Sequence, residues 1–360
     1  MPLSATAQLE QVRDRRIEQA VPLQAPALLF KELPLDHARV ETILEARANV
    51  ARILDRSDDR LLVVVGPCSV HDADAALDYA QRLSAVAADL RDDLFVAMRV
   101  YFEKPRTTTG WKGMINDPYL DGSYDVNTGL RLARKLLLEV IELGLPVGCE
   151  FLDPITPQYI SDAVAWGAIG ARTTESQIHR QLASGLSMPV GFKNRTDGNV
   201  GVAVDAVRAA AATHAFAGIG ANGNPAIFHT RGNQDCHVIL RGGRGAPNHG
   251  AAPVQATLDM LRGAGLPERV IIDASHDNSG KDPARQPLAV ADVAAQMAAG
   301  SGAIVGMMLE SFLVEGRQEL TLDAPLTYGQ SITDACMAWD TTEEVLEQLA
   351  EAVRDRRRAG

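Results

Sequence analysis

No stretch of this 360-residue chain approaches the ~20 consecutive apolar residues that a membrane-spanning helix needs, so no bilayer span is expected. The first residues lack the cationic-then-apolar pattern of a secretory signal. Cysteine is scarce. Cys68, Cys149, Cys236 and Cys336 lie far apart and form no CxxC pair, which excludes a disulfide frame and reads as reduced thiols in a cytoplasmic protein. There is no Walker A sequence, no GxGxxG after the first apolar run, and no GxSxG elbow, so nucleotide and serine-hydrolase readings are poor. Neither an internal repeat nor a low-complexity linker marks a second domain. Positive charge is in deficit, with 35 Lys and Arg against 46 Asp and Glu, a formal net charge of −11. A surface of that sign disfavours nucleic acid and anionic membranes as partners.

What is present is a series of eight short apolar runs: Leu61–Ser69, Phe95–Tyr101, Pro146–Leu152, Trp166–Arg172, Pro189–Asn194, His237–Arg241, Arg269–His276 and Ala303–Glu310. Continuous Val/Ile/Leu runs of this length read as parallel strands buried on both faces. Helical patterns separate them, at Asp72–Leu90, Asp125–Leu143, a start at Thr156-Pro157, Ser176–Ala183, Val202–Ala212, Val254–Arg262, Pro287–Ala299 and Thr333–Val353. The expected fold is α/β, a (β/α)8 TIM barrel over residues 61–353. Two parts exceed a minimal barrel. Residues 1–60 form an N-terminal arm, with Val21–Leu29 irregular and a helix over Glu41–Leu54 whose apolar stripe is interrupted by Arg47. Residues 215–232, between the fifth helix and the sixth strand, carry the Gly/Asn signals of an inserted β-hairpin.

Nearly every run ends in a residue capable of chemistry, and barrels place catalytic groups at the C-terminal strand ends. Cys68, His276 and Glu310 leave strands one, seven and eight, which are neighbours once strand eight pairs with strand one; Asp334 follows in the next loop. A thiol, an imidazole and two carboxylates suit one divalent ion such as Mn, Fe, Co or Zn. Taken singly, a strand-end Cys is a small core residue and an isolated His a structural hydrogen bonder; their convergence carries the reading. Arg99, Lys104, Arg106, Arg172, Lys193 and Arg241 sit at or just past the other exits. Cations gathered against the overall charge point to an anionic ligand with more than one phosphate or carboxylate. Pairing with acids such as Asp153, Glu175 or Asp197 is the bland account, but six cations at one rim would need six buried acids, and only Glu150 clearly ends a strand there. Lys104-Pro105-Arg106-Thr107-Thr108-Thr109-Gly110 adds two cations, three hydroxyls and a flexible Gly, the inventory of a phosphate clamp.

Six stretches together resemble one family: Gly66-Pro67-Cys68-Ser69, Arg99-Val100-Tyr101-Phe102-Glu103-Lys104-Pro105-Arg106-Thr107, Gly191-Phe192-Lys193-Asn194, Leu240-Arg241-Gly242-Gly243, Asp273-Ala274-Ser275-His276 and Gly306-Met307-Met308-Leu309-Glu310-Ser311. They are similar to the class I 3-deoxy-D-arabino-heptulosonate 7-phosphate (DAHP) synthases, which open the shikimate pathway. Lys-Pro-Arg-Thr-Thr separates that family from the related octulosonate 8-phosphate synthases. The resemblance implies condensation of phosphoenolpyruvate with erythrose 4-phosphate. It implies metal ligation by Cys68, His276, Glu310 and Asp334. Phosphoenolpyruvate would be held by Arg99, Lys104, Arg172, Lys193 and Arg241 near Glu150, and the erythrose 4-phosphate phosphate by Arg106 and Thr107. Lys104 and His276 are both candidates for the proton donor. It further implies a dimer or tetramer, inhibited by an aromatic amino acid through the arm, the hairpin and the stretch Ser184–Pro189. Arg195 departs from the Gly usual in relatives, and the hairpin Gly218-Ile219-Gly220-Ala221-Asn222-Gly223 is rich in Gly. Two other readings stay open: an aldol-type barrel enzyme using Lys193 as a Schiff base, and a catalytically silent paralogue that senses a small molecule.

Overall fold

A computed structural model describes residues 12–321 and 324–359. Residues 1–11 of the expected arm lie outside that range. Eight parallel strands close into a barrel in the order β1-β10-β9-β8-β5-β4-β3-β2. They are β1 (Leu61–Gly66), β2 (Leu94–Arg99), β3 (Val147–Glu150), β4 (Trp166–Ile169), β5 (Val190–Lys193), β8 (His237–Leu240), β9 (Val270–Asp273) and β10 (Ile304–Glu310). Each is buried along its whole length, as continuous apolar runs require. The sequence is interrupted between β5 and β8 by the antiparallel hairpin β6 (Ala215–Ile219) and β7 (Pro225–His229).

Side-chain parity divides the strands between two cores. Leu62, Val64, Phe95, Ala97, Trp166, Ala168, Ile239, Ile271 and Met308 fill the barrel interior. Their neighbours, among them Val63, Val65, Val96, Met98, Val238, Ile272 and Met307, face the surrounding helices. One step further along the same inward parity come Arg99, Glu150, Lys193, Arg241, Asp273 and Glu310. The period of two thus makes the lower barrel apolar and its C-terminal mouth charged.

The N-terminal mouth is closed by the helix His37–Asp55, which sends Ala46, Val50, Ile53 and Leu54 into the interior cluster. Arg47, the break in its apolar stripe, donates to the carbonyls of Ser161, Asp162 and Val164, just before β4. The guanidinium is therefore a cap for a neighbouring segment.

Four local expectations need correction. Pro26–Glu32, which overlaps the stretch Val21–Leu29 expected to be irregular, is a helix with Pro at its first turn, packed through Leu29. Thr156 does not cap the helix at Pro157; its hydroxyl donates to the buried Glu103 carboxylate. The helix Gln177–Gly185 runs through Gly185, where a Cβ would lie 2.8 Å from Thr230 of the hairpin. The last helix starts at Trp339, not Thr333. Residues 330–337 stay extended because long-range bonds hold them: Ser69 and Thr333 share a hydroxyl bond of 2.7 Å, and Met337 donates to the Glu310 carbonyl. A small parallel pair, β11 (Val314–Arg317) with β12 (Gln330–Ser331), lies in the same region.

Candidate active site

The β1–β10 register sets Gly66 beside Glu310, and two residues later the chain delivers Cys68 to that carboxylate. Ligand atoms of Cys68, Glu310 and Asp334 lie within 4.8 Å of one another. His276 adjoins them, its Nε2 3.9 Å from Glu310 Oε1. The backbone of Glu310 is clamped in both directions by the buried Gln286 amide, at 2.9 Å each way. His276 is held at φ +55, the left-handed region that costs a non-glycine residue roughly 1–3 kcal/mol and clusters at functional sites. Thiol, imidazole and carboxylates on one side of the mouth fit a borderline divalent cation. Burial and the Glu310 charge push the Cys68 thiol up, partly offset by Lys104, so a bound cation would be needed to favour the thiolate fully. Burial opposes ionisation of Asp334, but Lys104 and Lys281 hold its carboxyl below the usual range.

The cations converge opposite. Arg99 is buried against Glu310 (2.9 Å), donates to the Pro67 and Cys68 carbonyls, and lies 3.6 Å over the Tyr101 ring. Lys104 Nζ is 3.0 Å from Cys68 Sγ and therefore touches the metal-side cluster. Burial would weaken its charge; the Cys68 and Glu310 charges nevertheless raise its pKa, which keeps it cationic. Lys193 Nζ is 3.0 Å from Asp273. Arg241 pairs with Asp277, its backbone N–H donates to Asn194, and its buried Nε has no partner in the protein. An unmet buried donor at such a position favours an anionic ligand. Arg172 and Thr107 meet at 3.2 Å on the exposed side of the mouth. Arg106 shares that exposed loop.

Lys104, Arg106, Thr107, Glu150, Arg172, Lys193, Arg241, His276 and Asp334 all line one cavity of about 260 Å³; Cys68, Arg99 and Glu310 are buried beside it, Cys68 against the Lys104 ammonium and Arg99 against Glu310. Nine of the candidate substrate and metal residues thus line one cavity, and the other three lie beside it. Gly170 leaves the space that the Glu150 carboxylate occupies; a Cβ there would approach its Oε1 to 2.5 Å. Arg195 stays outside, paired with Glu175 and Asp197. Sequence reasoning missed Asp273, Asp277 and Lys281. Asp273 could have been found from the inward parity it shares with Ile271; Asp277 and Lys281 sit in a loop with no periodicity to reveal them. It also missed Glu103, a buried carboxyl pushed up to about 8 by burial, which braces the loop after β3 through Leu152, Asp153 and Thr156.

A second cavity, of about 470 Å³, lies where the helix Gln177–Gly185 meets the hairpin. Leu182, Ser184, Phe216, Phe228 and Thr230 contribute to its wall.

A closed (β/α)8 barrel whose mouth sets six buried or rim cations against a thiol–imidazole–carboxylate cluster defines a site suited to anionic substrates and a divalent cation. The profile of the DAHP synthetase I family matches residues 39–347, and the chain belongs to that family. It is 54% identical to the Phe-sensitive phospho-2-dehydro-3-deoxyheptonate aldolase of Escherichia coli (strain K12), over 96% of this chain and 98% of that protein. It is 48% identical to the tyrosine-inhibited enzyme of Schizosaccharomyces pombe, over 99% of this chain and 97% of that one. The solved structure of the phospho-2-dehydro-3-deoxyheptonate aldolase from Francisella tularensis SCHU S4 superposes with a TM-score of 0.93 at 50% identity, covering 95% of this chain and 100% of that one.

Proposed function

We propose that this chain condenses phosphoenolpyruvate with D-erythrose 4-phosphate and water, releasing 3-deoxy-D-arabino-heptulosonate 7-phosphate and inorganic phosphate. The observation that carries the reading is the division of one 260 Å³ mouth into a cationic half and a metal-ligating half. Arg99, Lys104, Arg172, Lys193 and Arg241 bind the carboxylate and phosphate of phosphoenolpyruvate; the forked guanidiniums suit both groups. Arg106 and Thr107, on the exposed loop, take the phosphate of the second substrate. Cys68, His276, Glu310 and Asp334 hold one divalent ion, which when bound polarises the aldehyde oxygen as a Lewis acid.

Holding both substrates in one mouth removes the translational barrier to their meeting. The enol carbon attacks the aldehyde carbon, and the new C–C bond leaves positive character on the carbon bearing the phosphate. Water adds there, giving a tetrahedral centre from which phosphate departs with the C–O bond pair. Arg172, Lys193 and Arg241 are preorganised for the charge on the departing phosphate. Lys104 is cationic and touches the metal-side cluster, so it is placed to give a proton to the forming alkoxide. His276 is poorly placed for that role, because its Nδ1 is bonded to the Ser275 hydroxyl beside Asp273 and its Nε2 faces the ligand cluster. Lys193 as a Schiff-base nucleophile is disfavoured, since Asp273 engages the nitrogen that a carbonyl would have to reach. A silent sensor would need no such complete ligand set.

Feedback control belongs to the same reading. The 470 Å³ cavity joins Ser184 and Leu186, in the stretch singled out for an effector, to the hairpin aromatics Phe216 and Phe228. These supply an apolar wall for an aromatic side chain and hydroxyls for its polar end. Assembly into a dimer or tetramer, and action in the cytoplasm, complete the proposal. The deciding assay is phosphate release from the two substrates, with and without a chelator and with each aromatic amino acid. Turnover that requires both substrates, stops with chelator and returns with added metal supports the reading. Phosphate release indifferent to chelator removes the metal, and no release with metal added sinks the function.

A further inference from the structure

We propose that Asp273 is a positioning residue through which phosphoenolpyruvate and the divalent ion bind cooperatively, an inference that rests on the function proposed above. Asp273 ends β9, is fully buried and does not line the active-site cavity. It joins the two halves of the mouth. Its Oδ2 lies 3.0 Å from Lys193 Nζ, on the anion side, and 2.9 Å from His276 Nδ1, on the metal side. Its Oδ1 accepts from the Ser275 backbone N–H at 3.0 Å and from the Ser275 hydroxyl at 2.5 Å. The Asn278 amide donates to its carbonyl at 2.7 Å and fixes the strand end. Oδ1 thus reaches His276 through the Ser275 hydroxyl, while Oδ2 holds Lys193 by charge and has no hydrogen-bond partner of its own, and Asp273 acts through both neighbours.

One carboxylate answering to two cationic or polarisable neighbours makes those neighbours competitors. The Ser275 hydroxyl donates to Asp273 Oδ1 and lies 2.8 Å from His276 Nδ1, so Nδ1–H donates to Ser275 Oγ, the tautomer that leaves the Nε2 lone pair toward Cys68, Glu310 and Asp334. When an anion engages Lys193, the ammonium shares its charge with that anion and neutralises Asp273 less. The carboxylate then interacts more strongly with His276, and Nε2 becomes a better donor to a cation. In the reverse direction, a cation at Nε2 strengthens Nδ1–H as a hydrogen-bond donor, draws Asp273 toward the imidazole and frees Lys193 for the substrate. Equilibrium linkage requires the two effects to be equal, and couplings of this kind usually amount to roughly 5–150-fold.

The test measures affinity rather than turnover. Cobalt(II) is titrated into the metal-free protein, following the thiolate-to-cobalt charge-transfer absorption, with and without saturating phosphoenolpyruvate. In the wild type, phosphoenolpyruvate should tighten cobalt binding by about fivefold or more. In Asp273→Asn, which keeps the shape but not the charge, that factor should shrink by at least about threefold, the remainder being direct attraction between substrate and cation. A structural role alone would weaken both ligands and leave the factor unchanged. Should Asp273→Asn not fold, Lys193→Gln breaks the same bridge from its other end and should shrink the factor equally. A wild type without coupling overturns the inference, as does a factor that survives either substitution. Coupling that fails in an enzyme releasing phosphate from the two substrates sinks Asp273 alone; failure of that turnover sinks both proposals.

Discussion

Cys68 shows how a residue too small and apolar to attract notice becomes chemical by position. It is fully buried, and its Sγ accepts from Lys104 while facing Glu310 and Asp334. Cys68→Ala should abolish metal-dependent turnover and bound metal, yet lower stability by only ~1 kcal/mol, since one sulfur atom leaves a small void; metal analysis beside a thermal melt checks both, and full activity would remove the thiol from the ligand set. His237 is the opposite case, a buried imidazole without a catalytic part. It accepts from Trp166 Nε1 and its Nδ1 donates to the Asp235 carbonyl. Burial pushes its pKa down to about 3. The unfolded chain takes up this proton near the ordinary value of about 6.5, so the fold keeps the full contribution above that pH and loses it progressively as pH falls toward 3. Between pH 6.5 and 5 the wild type should lose about 2 kcal/mol more than His237→Gln, read from urea unfolding at the two pH values. Equal losses would refute the assignment. At this scale the ligand types were legible because Cys, His and Glu stood at strand exits. Asp273 was not, because an acid closing an apolar run reads as the polar start of the next loop until its inward parity and its partners are known.

Elements were legible where periodicity was strong and misread where long-range bonds decide. The eight strands announce themselves as uninterrupted apolar runs, and the hairpin by its Gly/Asn turn. Thr333–Ala338 has helical spacing, but Ser69, Glu310 and Gly316 claim its hydrogen-bonding groups and keep it extended. The clamp loop after β2 depends on a similar long-range device. Lys104 N–H donates to the Lys112 carbonyl at 2.8 Å, and Gly113, at φ +119, returns the chain so closely that a Cβ would lie 1.9 Å from the Phe102 carbonyl. Gly113→Ala must therefore open the loop that carries Arg106 and Thr107. Its KM for erythrose 4-phosphate should rise by about tenfold or more while that for phosphoenolpyruvate changes less, because the loss is one of positioning. Steady-state kinetics with each substrate varied in turn distinguishes this from a uniform loss, which would place the loop's effect elsewhere.

Across the whole molecule, the chemistry at the mouth and the cavity beside the hairpin are joined by one short helix. Gln177–Gly185 contributes Leu182, Ser184 and Gly185 to that cavity. At its other end, His179 is bonded through Nε2 to the Leu152 carbonyl at 2.7 Å, and the Leu152 and Asp153 N–H groups donate to Glu103, which directly precedes Lys104. Sequence alone placed the hairpin and Ser184 in a regulatory region by resemblance, but it could not show this path, because every bond in it joins residues remote in the chain. An aromatic ligand that shifts the helix has a mechanical route to the loop bearing Lys104 and Arg106. Phe228, which packs 5.8 Å from Phe216 between centroids, supplies the hairpin wall. Phe228→Ala removes apolar contact worth about 2 kcal/mol to a buried ring, equivalent to roughly thirtyfold in affinity. The concentration of the effective aromatic amino acid that halves turnover should rise by about that factor, while turnover without effector stays within about twofold of wild type because the mouth is untouched. An unchanged inhibition curve for all three aromatic amino acids would move the effector away from this seam.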